Sequence, residues 1–93
     1  MKIEIMALMS DVFDVSMSTL YSALESRSRA RQHVALKRVY IVFRLYMGAT
    51  HKDIAEELRI AICNTYVKCN NQLLNKLIKE YEKNRVKSGR TTV

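Results

Sequence analysis

Apolar residues recur every three or four positions along most of this chain, and short polar clusters interrupt them. Ile3, Ile5, Met6, Leu8, Met9, Val12 and Phe13 form a broad apolar stripe, which predicts a first helix at roughly 3–13. Asp14-Val15-Ser16 breaks that stripe. Ser16 or Ser18 then offers a cap for a short second helix carrying Met17, Leu20, Tyr21 and Leu24. Residues 25–31 are a polar, charged connection. Val34 to Met47 is apolar almost all round, the pattern of a helix buried on most sides. Val39–Phe43 alone would pass for a buried strand. Its unbroken continuation to Met47 favours a helix, which Gly48 is placed to end.

Beyond Gly48 the pattern changes character. Thr50 caps the next helix, with Asp53 three residues on in a capping-box arrangement, and Ile54, Ala55 and Leu58 form its inner face. Arg59-Ile60-Ala61 is a turn. Ile62, Tyr66, Cys69, Leu73, Leu77 and Tyr81 then step by three or four along one face, which predicts a single last helix at about 62–85. Asn64, Lys68, Asn71 and Asn75 mark another face of it. Residues 88–93 read as a flexible polar tail. The expectation is an all-α domain over residues 1–87, of about five helices around a buried central helix, with a helix-turn-helix. The absence of proline and the presence of only two glycines in 93 residues agree with a helical chain.

Charge sharpens the picture. The formal net charge is +7, and it is uneven. Residues 1–26 carry one lysine against four carboxylates, a net of −3, so the remainder carries +10. Between Arg27 and Arg38 lie five basic residues and no acidic one. Such polarity points to a polyanion held on one side of the molecule. No stretch approaches the ~20 apolar residues of a membrane span, and no secretory signal is legible, so a cytoplasmic protein is expected. Cys63 and Cys69, placed on one helix, would stand ~9 Å apart along its axis, too far for a disulfide. They lack zinc-ligand spacing, and His33 and His51 are remote in sequence. No nucleophile–base or paired-carboxylate arrangement is present. No metal, cofactor or enzymatic activity is therefore expected.

In a helix-turn-helix, the first helix buries a hydrophobic pair and a small residue so that the second can approach, and the second shows polar side chains to base edges. Ile54 and Leu58 are the pair, Ala55 is the small residue and Ile60 closes the turn. Arg59 sits where such turns often place glycine. Tyr66 is expected on the inner face, and Tyr40 in the core. Asn64, Thr65 and Lys68 would face outward near the start of the second helix. Asn64 suits adenine, Lys68 guanine, and Thr65 a phosphate or a thymine methyl. Arg27, Arg29, Arg31, Lys37, Arg38 and Lys52 are the candidate backbone contacts.

From about Ile5 to Tyr81 the order of parts resembles the C-terminal DNA-binding domain of the bacterial replication initiator DnaA and, more distantly, the Trp repressor. The resemblance rests on the short helix Val15–Leu24, the basic loop Ser26-Arg27-Ser28-Arg29-Ala30-Arg31, the pair Lys37-Arg38 before Val39–Tyr46, the segment Thr50-His51-Lys52-Asp53-Ile54-Ala55, and Asn64-Thr65-Tyr66. It implies a sequence-reading double-stranded DNA-binding protein, a transcriptional or replication regulator of phage, plasmid or bacterial type. The chain departs where the family's Gly-Gly-Arg-Asp-His lead is replaced by Arg59-Ile60-Ala61-Ile62-Cys63. That change argues against the initiator's usual site. The N-terminal stripe is wide enough for both a core and a partner, which suggests a homodimer through the first helix. The rival expectation is a helical protein-binding adaptor with an adaptable methionine-rich surface.

Overall fold

A computed structural model describes residues 2–25 and 29–90, with side chains through Asn84. Its elements are α1 (Lys2–Phe13), α2 (Met17–Glu25), α3 (Arg31–Tyr46), α4 (His51–Leu58), a 3₁₀ turn (Ile62–Thr65) and α5 (Asn71–Arg90). The fold is all-α, with no strand among the described residues.

Local chemistry sets most of the helix ends. At the α1–α2 corner Asp14 adopts a left-handed φ of 53°, a conformation that short polar side chains tolerate best. The Ser10 hydroxyl donates to the Val15 carbonyl at 2.5 Å, closing the corner. Of the two serines available, Ser16 caps α2, its Oγ accepting the Thr19 amide at 3.1 Å. Helix α3 ends where Gly48 takes a φ of +102°. Both halves of the capping box are present at α4: the Thr50 side chain accepts the Asp53 amide, and the Asp53 carboxylate accepts the Thr50 amide.

The core joins these elements. Ile5, Met6 and Met9 of α1, Leu20, Ala23 and Leu24 of α2, and Ile54 and Leu58 of α4 are buried together with Leu77 of α5. Helix α3 adds Leu36, Val39, Tyr40, Ile41 and Phe43, and packs against α2, α4 and α5. Phe43 meets Tyr81 edge to face at 5.4 Å. The Tyr46 hydroxyl and the Glu82 carboxylate lie 2.9 Å apart, a second tie between α3 and α5. Helix α1 spends its inner face on this core, leaving Ile3 as the exposed large apolar residue among those described on that helix.

The region after α4 differs from the single helix expected at 62–85. The chain makes one 3₁₀ turn, runs without helix through Tyr66–Asn70, and only then starts α5. Thr65 and Val67 are β-branched, and Asn64, Asn70 and Asn71 are weak helix formers, so local propensity does little to hold a helix there. Asn70 instead becomes a cap: its side-chain oxygen accepts the amides of Gln72 at 2.8 Å and Leu73 at 3.4 Å. A full second helix therefore does not follow the turn. At the other end α5 continues to Arg90, past the start of the expected flexible tail, and residues 91–93 lie outside the described residues.

Candidate nucleic-acid interface

Helix α4 ends at Arg59, which holds a left-handed φ of 57°. The Ile60 amide donates to the Ala55 carbonyl at 3.0 Å, and the chain reverses toward α3. A non-glycine residue in this conformation costs about 1 kcal/mol or more, which a glycine would not incur. Arg59→Gly is therefore expected to leave the fold intact and its thermal midpoint unchanged or higher, while weakening any anion held by the guanidinium. Parallel thermal melts and DNA titrations of this variant separate the two effects.

The reversal creates a groove of about 600 Å³ between α3 and the turn. Lys37, Arg38, Arg59 and Asn64 line it, over an apolar floor of Val34, Ile41, Ile60, Ala61 and Val67. An adjoining cleft of about 390 Å³ shares Lys37, Arg59 and Ile60, and also contains Lys2, Glu25 and Glu57. Each acid of that cleft already has a partner within the protein. Glu25 accepts a hydrogen bond from Lys2, which holds its carboxyl below the ordinary carboxylate range with a smaller contribution from Arg59. Glu57 accepts from the Tyr40 hydroxyl and, at 2.9 Å, from the Arg44 guanidinium. Burial pushes the Glu57 carboxyl upward, a shift that the positive charge of Lys2 partly opposes. Among the described residues the ion pairs are Lys2–Glu25 and Arg44–Glu57, so Lys37, Arg38 and Arg59 take part in neither.

The other expected site residues are scattered. Arg27 lies outside the described residues. Arg29 is exposed just before α3, and Arg31 is exposed in its first turn. A cation there meets the unfavourable end of the helix dipole, which a bound anion would offset. Lys52 is exposed in the first turn of α4, away from the groove. Asn64 and Lys68 are exposed, but on the 3₁₀ turn and the irregular segment rather than on a helix. Thr65 does not face outward. It is fully buried, its hydroxyl donating to the Ile62 carbonyl and touching His51, so it cannot reach a base edge.

Two apolar expectations also reverse. Ile62 and Tyr66 belong to the inner face of a helix that does not form, and both are exposed. Cys63 and Cys69 do not share a helix either, although both are free thiols. Burial raises the Cys69 thiol above its ordinary value, which suppresses the reactive thiolate. No group of His, Cys, Asp and Glu is placed to hold a metal ion among the described residues, and no helix among them is long and apolar enough to cross a membrane.

Arg59 is the site residue that sequence reasoning misses. As the residue after α4 it reads as an imperfect turn glycine, with nothing in the charge pattern to join it to the distant Lys37-Arg38 pair. Its contribution depends on the chain reversing onto α3, which no local motif encodes. Neither protein-family models, nor curated proteins, nor solved structures match this chain, so the site rests on its own geometry.

Proposed function

We propose that this protein binds double-stranded DNA and acts as a transcriptional or replication regulator of the phage, plasmid or bacterial type. The observation that carries the reading is the groove that joins Lys37, Arg38 and Arg59 to Asn64. A phosphate backbone is attracted by cations not already neutralised by the protein's own carboxylates, and the acids near this groove are engaged with Lys2, Arg44 and Tyr40. Arg29 just before α3, Arg31 in its first turn and Lys52 on α4 extend positive charge beyond it.

Asn64 and Lys68 are the base-reading candidates. An asparagine amide matches the paired donor and acceptor of adenine, and a lysine reaches the acceptors of guanine. They stand on a turn and an irregular segment, so the readout covers few base pairs and backbone contacts dominate affinity. The capping box with Ile54, Ala55 and Leu58 supports the resemblance to the replication initiator's DNA-binding domain in its first half. The short 3₁₀ turn departs from it in the second.

Titration of the protein against duplexes selected from a random pool tests this. Log affinity should fall linearly with log salt, by ~0.9 per phosphate contact, for selected and random duplexes alike. Asn64→Ala should cost ~1–3 kcal/mol on the selected site and relax preference at one base pair. A protein that fails to retain any duplex at ~50 mM salt, where such contacts are strong, is not a DNA-binding protein, and the adaptor reading replaces this one.

A further inference from the structure

The 3₁₀ turn and the residue after it display two large side chains that the core does not take: Ile62 is 49% exposed and Tyr66 67% exposed. Tyr66 is nonetheless held in place. One face of its ring stacks on the His51 imidazole, with centroids 3.8 Å apart and planes 12° from parallel. With one face covered and two-thirds of the residue accessible, the other face is open to solvent.

The support beneath the ring is itself anchored. His51 Nδ1 lies 2.7 Å from the hydroxyl oxygen of the fully buried Thr65. That hydroxyl donates its one proton to the Ile62 carbonyl at 2.7 Å. Nδ1–H of His51 is therefore the donor to Thr65, and this sets the tautomer and orientation of the imidazole. A buried hydrogen bond thus positions a histidine, and the histidine positions an exposed aromatic face. Asn64 and Val67, on either side of this ring in the chain, both line the cationic groove.

A flat open ring, close in the chain to residues that line a cationic groove, suits a ligand that offers both a π face and a phosphate. Inside an intact duplex every base is stacked on its neighbours and offers no face. An unpaired base does, and protein aromatics take such bases with little regard to their identity. We infer that Tyr66, backed by His51, is a stacking platform for an unpaired nucleobase, so that the protein prefers duplex DNA carrying an unpaired position. The inference rests on the DNA reading above. The duplex flank supplies phosphates to Lys37, Arg38 and Arg59, the unpaired base lies on Tyr66, and Ile62 of the preceding 3₁₀ turn packs beside it.

The test compares one duplex with and without a single bulged 2-aminopurine. The bulged form should bind about tenfold tighter, the equivalent of ~1.4 kcal/mol and within the range for base–aromatic stacking. The fluorescence of the bulged base should be quenched on binding. Tyr66→Ala should abolish the quench and the preference while leaving affinity for the unbulged duplex unchanged. Tyr66→Phe should retain both, and His51→Ala should weaken both by freeing the ring. Because Tyr66 is exposed, its loss does not threaten folding, which circular dichroism checks. Equal affinity for the two DNAs without quenching, with duplex binding intact, overturns the platform and leaves the DNA reading standing. Failure to bind either DNA removes both.

Discussion

Replacing Lys37, Arg38 and Arg59 together by glutamine is expected to lower affinity for every duplex alike, by ~10²-fold near physiological salt. Each phosphate contact contributes ~0.9 to the slope of log affinity against log salt. At ~0.15 M that is a factor of about five per contact, so three contacts give ~10² and a slope reduced by up to ~2.7. Loss of base reading would act differently, weakening the selected site and sparing random DNA. The fold should tolerate the change, since none of the three takes part in the ion pairs of the described residues and glutamine keeps most of each stem. Lys52→Gln serves as the comparison: its side chain does not line the groove, and its slope change should not exceed ~0.9. An unaltered slope in the triple variant would show that DNA does not run along this groove.

Glu57→Ala should cost about 3 kcal/mol of stability, read as a shift in the denaturant midpoint. The Glu57 carboxylate receives two donors from α3, the Tyr40 hydroxyl and the Arg44 guanidinium. Tyr40 is fully buried, and the Arg44 and Glu57 side chains are only 12% and 22% exposed. The Arg44 Nε is already buried without a partner, so removing the carboxylate adds a buried, uncompensated charge to an existing cost. Breaking a buried ion pair costs ~3–5 kcal/mol, and the residual exposure here sets the lower end. Tyr40→Phe removes one neutral donor and should cost only ~1 kcal/mol. Adding Arg44→Met to Glu57→Ala should recover part of the loss, because the stranded charge goes with it. A double variant no more stable than Glu57→Ala would mean that the charge is not what Glu57 compensates. This pair also holds α4 against α3, so the groove should loosen when it breaks.

The helices from α1 to α4 are legible because their signals act within one turn of chain. Ser16 caps α2, Gly48 closes α3, and the Thr50–Asp53 box opens α4, each through atoms a few residues apart. The apolar stripes of the same segments name most of the core, from Met6 and Met9 to Tyr40, Phe43 and Ile54. The cationic residues Lys37 and Arg38 are equally readable, as is the overall positive charge.

Residues 62–70 show where this stops. Ile62, Tyr66 and Cys69 keep helical spacing, so periodicity predicts helix, and periodicity cannot register competing partners. Three-dimensional packing supplies them: Thr65 turns inward to Ile62 and His51, Tyr66 turns outward onto the His51 ring, and Asn70 spends its side chain starting α5. The groove is likewise a product of tertiary structure, because Arg59 reaches the Lys37-Arg38 pair only when the left-handed turn folds the chain back onto α3. Sequence alone thus determined an all-α chain, its first four helices, most of its core and its charge. Tertiary structure decided which polar residues meet and which aromatic stays in solvent, because those outcomes depend on partners far apart in the chain, whereas caps and stripes depend only on near neighbours.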